Sequence, residues 1–285
     1  MKNKVYYEKK LAEGLYAIAE KHLPDSHQTV MMYLVIGEDK AALIDSGFGV
    51  TNTLRGFVET LTDKPIVCLV AHGHPDHAGA AALFDEIHMN PEDDFLLPVS
   101  LSYERRMDDV FGHGEYDGEL KAYCEEHIVM CEKLPYKPLQ DGDVFDLGGR
   151  KLETVFIPGH TRGSAAFVDR ENNVALVSDC FSRRTAMVKM PTEKRAALNG
   201  YKNGLQRFLD MISDDTLIYW GHGEEPVDHS VPRDMLCAVQ EVLDGKTEND
   251  RPSVNKFTMR PGMGNAKMTE HVCGGVMLVY DANTL

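Results

Sequence analysis

The chain has 285 residues, 43% of them apolar, enough for one large domain or two small ones with a buried core. Acidic residues outnumber basic ones 45 to 30, and the net charge of −15 disfavours nucleic acid as a partner, because that affinity depends on neutralising phosphates. The start, MKNKVYYEKKLAEG, lacks the apolar stretch of a secretion signal, and the longest apolar runs, VMMYLVI and PIVCLVA, are far too short to span a bilayer, so the chain reads as soluble, cytoplasmic and without a membrane partner.

In chain order, TVMMYLVIG and KAALIDSG read as neighbouring strands joined by Glu38, Asp39 and Lys40. A helix is expected over TNTLRGFVETL, then an apolar strand, PIVCLVA. At the C-terminal end of that strand stands AHGHPDHAGA, with His72, His74, Asp76 and His77 inside six positions. The small and apolar residues of AGAAALFDEI predict a following helix, and ligand sites in α/β sheets gather at such strand ends. Residues of about 100–135 are charged, helix-compatible and interrupted by a Gly-His-Gly, which reads as an inserted helical segment or lid. Strand and turn rhythm resumes in DGDVFDLGGRKLETVFIPGH and in SAAFVDRENNVALVSD, where Asn172-Asn173 suits a hairpin turn. A helix (NGYKNGLQRFLDMI), a strand (TLIYWGHG) and a helix (PRDMLCAVQEVLDG) follow. A polar connector then leads to a last strand, GGVMLVYD. The simplest organisation is a single domain over 1–285 with a C-terminal extension, one helix and one strand, over about 232–285.

Cys68, Cys124, Cys131, Cys180, Cys237 and Cys273 are scattered without a CxxC pair and read as reduced thiols. The histidines and aspartates carry the chemistry instead. A metal that activates water needs imidazole or carboxylate ligands, usually three or more per ion, and an open coordination position. His72 and His74 can converge on one ion, while Asp76 and His77 can turn toward a neighbour. Further ligands must come from other strand ends. His160 in IPGHTRGS, Asp179 in LVSDCF and His222 in YWGHGEE each follow or close an apolar segment. Asp179, with two oxygens, is the candidate able to bridge.

The ordered set of Asp45 in LIDSG, His72-x-His74-x-Asp76-His77, His160, Asp179 and His222 resembles the metallo-β-lactamase fold superfamily, over about residues 15–230. The resemblance implies an α/β fold, a four-layer αβ/βα sandwich with two mixed β-sheets and outer helices, and a binuclear metal site. It implies that His72, His74 and His160 bind one ion and Asp76, His77 and His222 the other, with Asp179 shared and Asp45 holding the ligand loop. Two Zn2+ ions are the first choice, although iron or manganese accepts the same donors. Homodimers are the common state that the family suggests.

Two such ions would activate a bridging water toward a carbonyl or phosphorus, with Asp76 orienting it or moving its proton and Asp179 holding the ions together. The histidine at position 74 disfavours oxygen reduction, since flavodiiron relatives carry glutamate there. PGHTRGS and the spacing to the later ligands look most like the glyoxalase II and lactonase branch, so the expected activity is a metallo-hydrolase acting on a small-molecule ester, thioester or lactone. A mononuclear iron dioxygenase acting on persulfides and a phosphodiesterase or nuclease are the rival readings. Tyr201 reads as a core tyrosine with an oxyanion donor as the alternative, and His113 and His229 are candidates for the pocket. His22, His27, His88, His127 and His271 read as surface residues.

Overall fold

Two hydrophobic cores organise the chain, and the computed structural model, which describes residues 5–21, 29–112, 118–187, 195–253 and 268–282, divides into two compact units accordingly. The first comprises Met1–Glu153 and Gly221–Glu225, and the second Thr154–Trp220 and Pro226–Leu285.

The first unit opens with β1 (Tyr6–Ala12), β2 (Leu15–Glu20), β3 (Val30–Ile36) and β4 (Ala41–Ile44), then α1 (Leu54–Val58), β5 (Ile66–Val70), α2 (Pro75–Ala78), β6 (Glu86–Met89), α3 (Leu97–Ser100), α4 (Tyr103–Phe111), α5 (Gly118–His127) and β7 (Lys137–Pro138). The seven strands form one mixed sheet in chain order, antiparallel from β1 to β4 and parallel from β4 to β7. The unbroken apolar runs of β3, β4 and β5 suit strands covered on both faces, and nearly all their residues are buried. At the edge, β1 exposes Glu8, Lys9 and Lys10, charges that discourage pairing with another strand.

The expected helix over AGAAALFDEI does not form. The helix stops at Ala78, a 3-10 turn covers Ala81–Leu83, and Glu86–Met89 becomes β6. Gly79 keeps helical dihedrals, φ −62° and ψ −37°, and a side chain there would meet the Phe48 carbonyl oxygen at 2.1 Å, so the chain packs on its neighbour through bare backbone. The alternation in EIHM, with Ile87 and Met89 buried, is strand-like and too short to stand out in the sequence.

A hairpin of β8 (Val144–Asp146) and β9 (Lys151–Phe156) leads out of the first unit, whose boundary falls within β9. The second unit continues with β10 (Ala165–Asp169), β11 (Val174–Ser178), β12 (Arg184–Ala186), α6 (Ala196–Met211), β13 (Leu217–Trp220), α7 (Ser230–Leu243), β14 (Arg251–Pro252), β15 (Met268–Cys273) and β16 (Val276–Asp281). Its main strands lie in the order β13-β11-β10-β9. The β10–β11 hairpin closes through Asp169, which accepts the Asn172 N–H at 3.1 Å, and through Asn173 at φ +52°.

A further sheet, β12-β16-β15-β14, is built largely from the C-terminal extension, where the sequence predicts a single strand. MTEHVC does not stand out because its buried residues, Glu270 and His271, are polar and its Val272 is exposed, so neither an apolar run nor an alternation marks it. Among the described residues no helix is long and apolar enough to cross a membrane.

Candidate metal centre

HGHPDH splits at Pro75. A residue that precedes proline is kept out of the helical region, and His74 is extended at φ −77°, ψ 157°, while Pro75 starts α2. His72 and His74 therefore lie on the bend leaving β5, and Asp76 and His77 on the helical turn. Each half offers a donor pair: His72 Nε2 is 3.2 Å from His74 Nδ1, and Asp76 Oδ2 is 3.3 Å from His77 Nε2. His72 and His77 are buried, whereas His74 and Asp76 are partly open.

The loop after β4 holds this segment. Asp45 has both carboxylate oxygens engaged: Oδ1 accepts the Ala71 N–H at 2.8 Å, and Oδ2 lies 2.8 Å from His77 Nδ1. It does so at φ +64°, a region that aspartate tolerates better than most residues. A proton on His77 Nδ1 facing the carboxylate leaves the Nε2 lone pair for a ligand role. Ser46 Oγ donates to the His77 carbonyl at 2.9 Å and accepts the Ala80 N–H at 3.2 Å. Gly49, at φ +63°, packs so closely that a Cβ would stand 2.2 Å from the Gly79 carbonyl oxygen.

His222 arrives on the five-residue return of the chain, Gly221–Glu225, to the first unit. Met31 donates its N–H to the Gly221 carbonyl at 2.8 Å, and Lys21 pairs with Glu224 at 2.8 Å. His222 Nδ1 is 3.2 Å from the Thr29 carbonyl and Nε2 is 3.4 Å from Asp76 Oδ2. Donor atoms of Asp76, His77 and His222 all lie within 4.8 Å of one another.

In the second unit, His160 follows β9 on a turn closed by Ser164, whose Oγ accepts the Thr161 N–H at 2.9 Å. Its Nδ1 lies 2.8 Å from the Ala186 carbonyl, and its Nε2 is 3.7 Å from Asp179 Oδ2. Asp179 follows β11 where the register to β13 slips between Leu176 and Ser178, and Ser178 takes φ +46°. Such irregularities re-aim the residue beside them.

The donors fit a divalent ion of the imidazole and carboxylate type. Bonds of about 2.05 Å in a tetrahedral shell place two ligand atoms about 3.3 Å apart. The separations of 3.2, 3.3 and 3.4 Å in the first unit match that edge. In His77, His160 and His222 the Nδ1 faces a protein oxygen and leaves Nε2 toward a carboxylate.

Supporting residues escaped the sequence reading. Asp93 is fully buried, and its Oδ2 accepts the Gly73 N–H at 2.8 Å, fixing the backbone between His72 and His74. Nothing in PEDD distinguishes it from Glu92 or Asp94. Arg106, on α4, is wholly buried and donates to the carbonyls of Phe48, Gly49 and Gly79 from Nη1 and of Leu101 and Val129 from Nη2. Burial pushes its guanidinium down to about 10, against the opposing charge of Glu20.

Of the pocket candidates, Tyr201 is a core residue: it is fully buried, its hydroxyl donates to the Cys180 carbonyl at 2.8 Å, and burial drives its pKa well above the ordinary phenol value. An oxyanion donor needs a hydroxyl open to substrate, so that alternative is withdrawn. His229 Nε2 lies 2.8 Å from the Thr216 carbonyl just before α7. His113, His22 and His27 fall outside the described residues. His271, expected at the surface, is buried, between Asp250 at 2.6 Å and Glu241 at 3.2 Å, because its place on β15 faces α7.

A family model described as "Metallo-beta-lactamase superfamily" matches residues 28–222. The acyl-coenzyme A thioesterase MBLAC2 of Gallus gallus is 24% identical over 212 residues, 72% of this chain and 75% of that protein. The hydroxyacylglutathione hydrolase GloC of Haemophilus influenzae is 29% identical, over 65% of this chain and 81% of its own. Among solved structures, a beta-lactamase domain protein from Burkholderia ambifaria superposes with a TM-score of 0.57 at 21% identity, covering 85% of this chain and 77% of that one. A metallo-beta-lactamase family protein from Thermus thermophilus gives 0.55 at 23%, covering 83% and 82%.

Proposed function

The chain belongs to the metallo-beta-lactamase superfamily and is a metallo-hydrolase of it, and from this premise we propose that it hydrolyses small-molecule thioesters at a centre of two ions. His72, His74 and His160 would hold one ion and Asp76, His77 and His222 the other, with Asp179 available to both. Zinc is the ion of choice, and iron or manganese would accept the same donors. The observation that carries this reading is the set of near-tetrahedral donor separations around Asp76, with the outer nitrogens of His77 and His222 already turned to protein oxygens.

When bound, such ions supply Lewis acidity and an acidified water. The residues of the chain do the rest. Asp76 Oδ2 lies beside the two histidine nitrogens as the third donor of that group, so Oδ1 is the oxygen that would orient the attacking water and take its proton. Asp45 keeps the His77 proton on Nδ1, so that this imidazole stays a donor of its Nε2 lone pair through the reaction. Attack at the acyl carbon breaks the carbon–sulfur bond and releases a carboxylic acid and a thiol. A protein nucleophile is not required, and Cys180, the thiol adjoining Asp179 in sequence, is buried.

Support for a thioester over a lactone comes from the names of the relatives, a thioesterase and a hydroxyacylglutathione hydrolase. The net charge of −15 supports a small-molecule substrate over nucleic acid. Metal analysis joined to a panel of thioesters, lactones and phosphodiesters tests the reading. Two ions per chain and fastest turnover of a thioester are expected, and Asp179→Asn should lose one ion and most of the turnover. One iron per chain with oxygen uptake on a persulfide, or faster cleavage of bis-para-nitrophenyl phosphate, would overturn it.

A further inference from the structure

Cys237 and Cys273, 36 residues apart in sequence, meet in the second unit with their sulfurs 2.9 Å apart. Cys237 lies on α7 and is exposed, while Cys273 ends β15 and is half-buried. Glu241 stands four residues after Cys237, hence one turn along the same helix face, and donor atoms of Cys237, Glu241 and Cys273 all lie within 4.8 Å of one another. The group is held from outside. His271, two residues before Cys273 on the same face of β15, has Nε2 at 3.2 Å from Glu241 Oε2 and Nδ1 at 2.6 Å from Asp250. Asp250 also accepts the Tyr280 hydroxyl at 2.7 Å. The turn after Cys273 is tied to α7 by the Gly275 N–H, which donates to Asp234 at 2.8 Å.

We propose that Cys237, Glu241 and Cys273 bind a thiophilic divalent cation of the zinc or cadmium class, as a metal site distinct in ligands from the histidines and aspartates above. Two thiols and a carboxylate supply three donors and leave a fourth position for water, a combination that suits a tetrahedral ion. Zinc–sulfur bonds of about 2.3 Å set two sulfurs about 3.8 Å apart, which the exposed Cys237 side chain reaches by a shift of under about 1 Å.

A redox disulfide is the competing use of two neighbouring thiols. It makes no use of a carboxylate set against both sulfurs, whereas a bound cation offsets the charge of two thiolates and a carboxylate together. A cation uses all three groups. The chain His271–Asp250–Tyr280 then orients the carboxylate ligand, as an outer layer does in metal sites generally. Binding displaces the two thiol protons to solvent and changes no oxidation state.

Cadmium titration of the reduced full-length protein tests the site, because thiolate-to-cadmium charge transfer in the ultraviolet cannot arise from histidine and aspartate ligands. The band should saturate with one thiolate-bound cadmium per chain. The paired change Cys237→Ser and Cys273→Ser should abolish it and lower cadmium uptake by one ion per chain, with thioesterase activity retained. Glu241→Gln, which keeps the side-chain shape, should weaken cadmium binding at this site about tenfold or more while the fold stays intact. Absence of the band in wild type, its persistence in the double-serine variant, or a reduced protein whose two thiols reoxidise to a disulfide without taking up cadmium would overturn the assignment.

Discussion

Asp45 shows how one side chain can govern a site without being one of its ligands. Its carboxylate holds the Ala71 N–H and His77 Nδ1 at 2.8 Å each, from a backbone at φ +64°. Asparagine keeps one oxygen acceptor for the Ala71 N–H and tolerates the same backbone, but it then turns its Nδ2 donor to His77 Nδ1, which favours the proton on Nε2, the nitrogen needed for metal. Asp45→Asn should therefore weaken metal binding by about 10–100-fold with little change in the folded state, as loss of such outer partners does elsewhere. Competition with a chromophoric chelator reads the affinity, and a urea transition reads the fold. An affinity within twofold of wild type would mean that the contact with His77 is idle. The LIDSG segment already marked Asp45 in the sequence, whereas Ser46 beside it gave no sign that it bridges the His77 carbonyl and the Ala80 N–H. Hydrogen bonds from a side chain to distant backbone leave no pattern in sequence, and the same reason hides Asp93 under Gly73.

At the scale of elements, α4 carries a charged sequence, YERRMDDVF, yet its Arg106 is fully buried among backbone carbonyls on both sides of the ligand loop. Methionine of similar length would leave those carbonyls without a donor and the buried Glu20 without its nearby cation. Arg106→Met should cost about 3–5 kcal/mol, the range for removing one member of a buried charged group. Arg106→Lys, with fewer donors, should fall between. Urea midpoints measure both, and a loss under about 1 kcal/mol would show that water replaces the guanidinium. The β6–β7 edge offers a pH test. Lys137 and His88 donate to Glu86 and hold its carboxyl down at about 2, from an ordinary 4.5. A lowered folded-state pKa stabilises above the unfolded value and loses that contribution as pH falls through the folded one. The stability gap between wild type and Glu86→Gln, small because the side chain is partly exposed, should be constant near neutrality, shrink below about 4.5 and close near 2. A gap that persists at pH 2 would assign it to packing instead of charge.

Across the whole molecule, what could be read from sequence follows from how locally each feature is encoded. Strands β3, β4, β5, β10, β11 and β13 are short apolar runs with turn residues at their ends, and the donor residues sit directly after three of them, so both run and donor are visible together. The third sheet and the meeting of Cys237 with Cys273 depend on β15, whose buried Glu270 and His271 are polar while Val272 is exposed, and Cys237 lies 36 residues from Cys273 along the chain. The division into two cores is also a long-range property: the chain leaves the first unit at Glu153 and returns only for Gly221–Glu225, the segment that brings His222 to Asp76. That return makes metal a determinant of global stability. Without a cation, the carboxylates of Asp76 and Asp179 contribute to a net charge of −15, and the short return segment is tied to the first unit through bonds such as Met31 to Gly221 and Lys21 to Glu224. Each ion present at about 100 times its Kd adds about 2.7 kcal/mol, and at ~2–4 °C per kcal/mol for chains of this size two ions should raise Tm by roughly 10–20 °C. Chelation followed by zinc addition, monitored by differential scanning calorimetry, checks this, and His222→Ala should forfeit about half of the gain. A Tm unmoved by chelation and zinc would show that the folded chain is organised without its ions.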